Sequence, residues 1–446
     1  MILAPALTAP TIAVGLCAGV VALWLAQKSI AYPLALSSVP SLVTAVNGSN
    51  PLPKGGATIL TAGWIALGVV IVLYRREQGP ALRGLMSVPC AMAVLLLGLM
   101  LWRVSGSPDA SYGMKKTEQY LLDNLMLMLG GVFVGCDRKS LRLFLIVTLG
   151  VVIFSSLLLV AQLASGSAQQ QYGSGSGRFT ISAQSGAISL GRTSADGALI
   201  AVGTILIARR SWQRLAALTV LPLTLLAMLA AGSRGPTVAF VIGLLIMIVL
   251  SATTGRAQKR ILMVGGVLLA AGFVLPLVVP SSAISRALSG ILGTAGGRST
   301  NGRSQLWTLA LSTFSSHMWL GLGTGGFAAV STIEMYPHDL FLEVAAELGL
   351  IGLVVVVTVV GSMAARLRVA WRTADASDRL LVALLVALFT SSLINALVSG
   401  QISDNAEVWL WGGIAIGMTA TKRSPAPAPV ALRGARLHRR LPLTGS

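Results

Sequence analysis

Runs of roughly twenty apolar residues, separated by short polar breaks, recur along the chain. That length lets an α-helix cross the hydrocarbon core of a bilayer with every backbone group satisfied inside the helix. The pattern predicts spans near 8–27, 57–74, 84–102, 119–136, 141–164, 194–208, 212–231, 235–252, 261–279, 339–361, 380–399 and 405–420. The expected fold is all-α and polytopic, with about twelve transmembrane helices forming a single transmembrane domain over 1–446. The apolar stretch 31–46 is broken by Pro33 and Pro40 and ends in Asn47-Gly48-Ser49-Asn50-Pro51. It reads as an outer loop or a re-entrant piece, because counting it as a span would put the Arg75 loop on the same side as Arg103 and Arg234.

Two polar stretches interrupt the alternation. The segment 166–191 is rich in Gly, Ser and Gln and reads as a mobile loop. The segment 280–337 is the longest loop and is more than a linker. Within it, 305–319 places Leu306, Leu309, Leu311 and Phe314 among small polar residues, the pattern of a short amphipathic helix that lies along a membrane surface. No internal repeat is visible, and many transporters are built from one.

Composition agrees with a membrane protein. Of 446 residues, 54% are hydrophobic and 11% charged, against about 25% charged in soluble domains. The net charge of +19 is concentrated in alternate loops: Arg75/Arg76/Arg83, Arg138/Lys139/Arg142, Arg209/Arg210/Arg214, Arg256/Lys259/Arg260 and Arg366/Arg368/Arg372/Arg379. The positive-inside rule assigns those loops and both termini to the cytoplasm, and 280–337 to the extracytoplasmic face. So placed, the charge points to membrane lipids as partners and not to nucleic acid. The Pro- and Arg-rich tail 421–446 is expected to be disordered and held near anionic headgroups. The first apolar segment lacks a basic leader and a small-residue cleavage site, so it is expected to stay as an anchor. Cys17, Cys90 and Cys136 lie in or beside apolar spans and read as small core residues.

The cytoplasmic loops hold no G-x-x-x-x-G-K-[ST] phosphate loop, and the chain has no D-x-D, no H-E-x-x-H and no acid/His set at metal-ligand spacing. A reaction without metal or other cofactor is expected. The run Gly321-Leu322-Gly323-Thr324-Gly325-Gly326 lacks the strand–turn–helix setting of a dinucleotide site. It reads as a plain turn, with an anion-approaching turn as the other possibility.

His338 is one of three histidines and lies in Tyr336-Pro337-His338-Asp339, where the long loop enters an apolar helix. An imidazole at this boundary suits proton transfer; the blander reading is local capping. Asp339, Glu343 and Glu347 recur at i, i+4 and i+8 on one helix face. There they can orient the imidazole, pair with loop arginines, or form structural ion pairs. Arg192, Arg234, Arg298 and Arg303 fall on the side that topology normally depletes of positive charge. Guanidinium groups bind phosphate oxygens in a bidentate fork, although each alone can equally snorkel to headgroups or pair with a carboxylate. Trp307 and Trp319 read as interface anchors in preference to sugar-stacking platforms.

The stretch from Pro337-His338-Asp339 to Gly349-Leu350-Ile351-Gly352 resembles the signature of bacterial O-antigen ligases and of the related O-antigen polymerases and protein O-oligosaccharyltransferases. That signature is His, a neutral Asn, Ser or Gln, nine residues (here 340–348), Gly, two residues and a further Gly, Thr or Tyr. Ser233-Arg234-Gly235, Gly302-Arg303 with Trp307, and the Gly321-Leu322-Gly323 turn also agree, while Asp339 departs from the pattern. The resemblance covers 190–360 well. It implies a membrane-embedded glycosyltransferase of GT-C-like architecture that uses no cofactor. In the ligase reading it moves O-antigen polysaccharide from undecaprenyl diphosphate to lipid A–core at the periplasmic face of the bacterial inner membrane, with inversion. His338 would then act as base, Arg192, Arg234 and Arg303 would clamp the diphosphate with Arg298 as an additional candidate, and Asp339, Glu343 and Glu347 would support them. Polymerase or protein glycosylation activity is the alternative within the superfamily, and an anionic-lipid transporter or flippase the alternative outside it. Glycan identity, acceptor sugar and oligomeric state are left open.

Overall fold

A computed structural model describes residues 28–38, 63, 66, 79–171, 176–181, 186–252, 258–289, 298–376 and 378–421, with the side chains of 33, 37 and 298–301 outside the description. The expected spans 8–27 and 57–74 and the basic tail therefore lie essentially outside the described residues. Among those described, eight helices are long and apolar enough to cross a membrane, or nine if one bent pair counts as a single span.

The bent pair is α2 (Gly79–Leu85) and α3 (Val88–Val104), meeting at 49°. Next come α4 (Ala110–Cys136), α5 (Arg138–Ala164), α6 (Ala187–Ile207), α7 (Ser211–Ala230), α8 (Arg234–Ala252) and α9 (Gln258–Val278). After the loop region, α13 (Leu340–Arg372) and α14 (Arg379–Val398) complete the long set, and α15 (Ala406–Thr421) is a shorter, almost wholly buried helix of 16 residues. Local chemistry sets several boundaries. Asp109 accepts from Tyr112 N at the start of α4, and Asp137 from Lys139 N and Ser140 N at the start of α5. Such side-chain acceptors satisfy amides that have no partner inside the helix.

Three expectations change. The stretch from residue 31 begins as a buried seven-residue helix, α1 (Ala31–Ser37), packed on α5 and α4 with Ile30, Ala31, Leu34 and Ala35 buried, which suits the re-entrant alternative and not the outer loop. Residues 39–46 lie outside the description. The polar 166–191 stretch carries a two-stranded antiparallel hairpin, β1 (Gln169–Gln170) with β2 (Phe179–Thr180). Its last residues already belong to α6, which begins at Ala187 instead of near 194. The polar pattern there misleads because Arg192, Thr193, Ser194 and Asp196 are buried against neighbouring helices, not solvated.

The two ends of the bundle differ. At one end, Arg138 at the start of α5 pairs with Asp378 beside α14, amid the basic loops. At the other end lie the hairpin, α10 (Ser281–Leu288), α11 (Arg298–Ser316), α12 (Phe327–Val330) and the entry to α13. The expected amphipathic helix at 305–319 is α11, which starts seven residues sooner. Its Leu306 and Ala310 pack with Phe327 of α12 and Ala346 of α13 in a small separate core.

Candidate functional site

His338 sits where the loop enters α13, and its backbone is at φ 60°, the only non-glycine residue with positive φ among those described. A left-handed residue with a Cβ costs free energy and persists only where its surroundings hold it. Two contacts do so. The indole Nε1 of Trp307 donates to the carbonyl of Pro337 at 3.1 Å, and the Tyr336 ring meets the imidazole edge-on at 4.6 Å. Asp339 then caps α13, accepting from Phe341 N and Leu342 N at 2.9 Å each.

Trp307 also fixes the relation of α11 to the histidine. Arg303 lies one turn earlier on the same face of α11, so the indole contact brings its guanidinium toward the imidazole. Arg303 and Arg178, the latter just before β2, both act electrostatically on His338, and Arg234 at the start of α8 acts on Arg303. The backbone brings the segments that carry Arg178 and Arg234 together. Gly232 has φ 57°, and a Cβ there would stand 1.9 Å from Gly177 O, so the 232–234 turn lies directly on the 177–178 segment. Burial lowers the His338 pKa to about 4, aided by Arg303 and Arg178. Burial also lowers that of Arg303, with Arg234 adding to the effect. A half-buried imidazole that is neutral at pH 7 thus sits within the field of two guanidinium groups, Arg303 and Arg178, with Arg234 acting on Arg303 in turn. Its Nδ1 has no hydrogen-bond partner among the described residues.

Arg192 does not join this group. It lies inside α6 and is 5% exposed. Its guanidinium donates to Ser399 O at 2.8 Å and Asp404 O at 2.9 Å and lies 3.6 Å from Glu407. It thereby satisfies carbonyls past the end of α14, a structural engagement that the clamp expectation did not include. Arg298 opens α11, with its side chain outside the description.

Glu343 and Glu347 meet Lys116 of α4. Its fully buried Nζ lies 2.7 Å from a carboxylate oxygen of each. The second oxygens are also used: Glu343 accepts from Ile402 N and Glu347 from Gly325 N, both at 2.8 Å. The expectation that these acids orient the imidazole or pair with loop arginines gives way to the structural ion-pair reading. One ammonium and two carboxylates tie α4, α13, the 321–326 turn and the 399–405 loop into one block beneath His338.

The glycine-rich turn is part of that block. α13 breaks at Gly349, with φ 65° and ψ −160°, which leaves helix carbonyls without their usual donors. Leu322 N and Gly323 N bond Ala346 O and Glu347 O at 2.9 and 2.8 Å, and Leu350 N bonds Met318 O at 2.7 Å. Arg103 of α3 holds the turn from outside through Leu320 O and Gly321 O, each at 3.2 Å. The amides at 322, 323 and 325 thus serve α13 and Glu347, in keeping with a plain turn and not an anion cradle.

Sequence reasoning missed two residues here. Lys116 was hidden in the polar stretch before an apolar span, and only its burial marks it. Arg178 lay in a stretch that read as a mobile loop, although an arginine within an otherwise uncharged Gly/Ser/Gln segment was a usable signal.

The family model described as O-antigen ligase matches residues 218–357. The match includes Arg234, Arg303, Trp307, His338, Glu343, Glu347 and Gly349 and leaves out Lys116, Arg178 and Arg192. It supports membership of the O-antigen ligase superfamily, as the resemblance implied. No curated protein matches the chain.

Proposed function

We propose that this member of the O-antigen ligase superfamily transfers an O-antigen polysaccharide from undecaprenyl diphosphate to lipid A–core. In this reading it lies in the bacterial inner membrane with its site facing the periplasm, where 280–337 is the large outer loop of a single transmembrane domain. The observation that carries the reading is a neutral, conformationally constrained His338 beside Arg303 and Arg178, with Arg234 acting on Arg303.

The chemistry follows from these parts. The guanidinium groups bind the donor diphosphate and stabilise charge as the leaving group departs. The acceptor hydroxyl oxygen forms a bond to the anomeric carbon while the bond from that carbon to the diphosphate oxygen breaks. The electron pair leaves with the lipid diphosphate, and the hydroxyl proton passes to the His338 imidazole. Attack opposite the leaving group inverts the anomeric carbon. A histidine with a pKa of about 4 is a weak base. Bound diphosphate offsets the positive field of Arg303 and Arg178, so donor binding itself makes the base stronger.

Purified protein with lipid-linked glycan and lipid A–core tests this directly. Ligation that is lost in H338A and sharply reduced in R303A is expected; H338A with near wild-type turnover sinks the base assignment. Extension of one lipid-linked glycan by another, with no transfer to lipid A–core, would make the protein a polymerase instead.

A further inference from the structure

The end of the bundle opposite His338 holds a feature that glycosyl transfer does not use. Between α2 and α3 the chain turns by 49° at Met86-Ser87, with Ser87 extended and Pro89 in the first turn of α3. α2 cannot swing back to fill the angle, because it is packed tightly on α4 and α15. A Cβ at Gly84 would lie 2.8 Å from Val132 Cγ1 and 3.5 Å from Ile416 Cγ2. The result is a cleft of about 350 Å³ lined by Arg83, Ser87 and Arg366 with Met86, Val88 and Ile416.

The lining has two chemical halves. Arg83 of α2 and Arg366 of α13 bring two guanidinium groups to one opening, and among the described residues no carboxylate lines it. Beside them the surface is apolar and open: Met86 is 85% exposed and Val88 56%. A soluble anion would use the arginines but not the apolar rim, and a neutral lipid the reverse. Arg83 also acts electrostatically on Cys136, two residues before Arg138, which sets the cleft near the basic loops, where a membrane presents its headgroups.

We infer that this cleft binds an anionic phospholipid, its phosphate held by Arg83 and Arg366 and its acyl chain lying along Met86, Val88 and Ile416. Each arginine at such a surface adds to the attraction for an anionic headgroup. Removing both is therefore expected to weaken retention by about tenfold or more.

The full-length protein in detergent, offered phosphatidylglycerol, phosphatidylethanolamine or inorganic phosphate, tests this by native mass spectrometry and thermal shift. Wild type is expected to retain phosphatidylglycerol over phosphatidylethanolamine and to gain thermal stability from it. R83Q/R366Q is expected to lose that preference, while R142Q, at an exposed arginine outside the cleft lining, keeps it. M86E, which adds a carboxylate at the open mouth where no packing is lost, keeps the test usable should the double variant fold poorly; it too should lose the preference. Undiminished retention in R83Q/R366Q or M86E overturns the proposal. So does equal protection by inorganic phosphate, which would make this a site for a soluble anion.

Discussion

Trp307 reaches the backbone beside His338: its indole N–H donates to the carbonyl of Pro337 at 3.1 Å, across thirty residues of loop. This bond sets both the left-handed entry to α13 and the distance from Arg303 to the imidazole. W307F keeps a six-membered aromatic ring but loses the indole N–H donor with the rest of the indole. Loss of one hydrogen bond of about 1 kcal/mol predicts roughly fivefold slower transfer. The effect should appear in kcat more than in the KM for donor, because the arginines remain. Steady-state kinetics with lipid-linked donor measure it, and an unchanged kcat would remove the positioning role.

The His338 pKa of about 4, against 6.5 for the free side chain, gives two pH signatures. Between those values the unfolded chain binds a proton that the folded chain does not, so stability rises with pH through this window. Melting temperature measured from pH 4 to 7 should fall on the acid side, and H338N should flatten that part of the curve. For kcat/KM, which reports the free enzyme, no inflection near 6.5 is expected. R303Q removes one of the two guanidinium groups acting on the ring, so its inflection should move upward. A profile that does not move would separate Arg303 from the histidine.

Lys116 carries the clearest stability prediction. K116M leaves two carboxylates buried without their cation, and breaking such a group costs roughly 3–5 kcal/mol. K116M/E343Q/E347Q removes the charges together and should regain part of that loss, visible as a partial recovery of melting temperature. A single K116M variant as stable as wild type would mean that the ion pairs hold nothing in place.

How much of this was legible in the sequence depends on what kind of signal each part leaves. Long apolar runs announce helices, so ten of the expected spans correspond to described helices, with α15 shorter than a full span. His338, Arg234 and Arg303 stood out because polar groups are rare in such a chain. Partners were less visible. Arg192 and Arg303 read alike as arginines on the outer side. Only the fold shows that one satisfies carbonyls after α14 while the other points toward an imidazole. Likewise Glu343 and Glu347 share a helix face by spacing, but the spacing does not say that the face meets Lys116, more than two hundred residues away.

Gly349 has a physical reason for standing where it does. Its φ of 65° is one that a Cβ resists, and a Cβ built there would lie 2.4 Å from the carbonyl carbon of Trp319. G349A must either straighten α13 or push away the 318–323 turn, with strain of about 1–3 kcal/mol. The variant is expected to lower the melting temperature and to lose transfer activity together, since the turn and the Glu347 carboxylate move as one. Activity retained at full stability would show that the break in α13 is dispensable.

Asp339 stands where the signature that this stretch resembles has a neutral residue, and the structure gives it work that does not depend on charge. One carboxylate oxygen accepts from both Phe341 N and Leu342 N; an Asn carbonyl can do the same, and Asn and Asp cap helices about equally well. Burial raises the Asp339 pKa, against the lowering effect of the Leu342 and Phe341 amides. D339N should therefore keep both melting temperature and transfer rate, whereas D339A loses the cap and about 1 kcal/mol of stability. If D339N is inactive while folded, the carboxylate itself takes part in the reaction, and its place beside His338 must then be read as catalytic support and not as a helix cap.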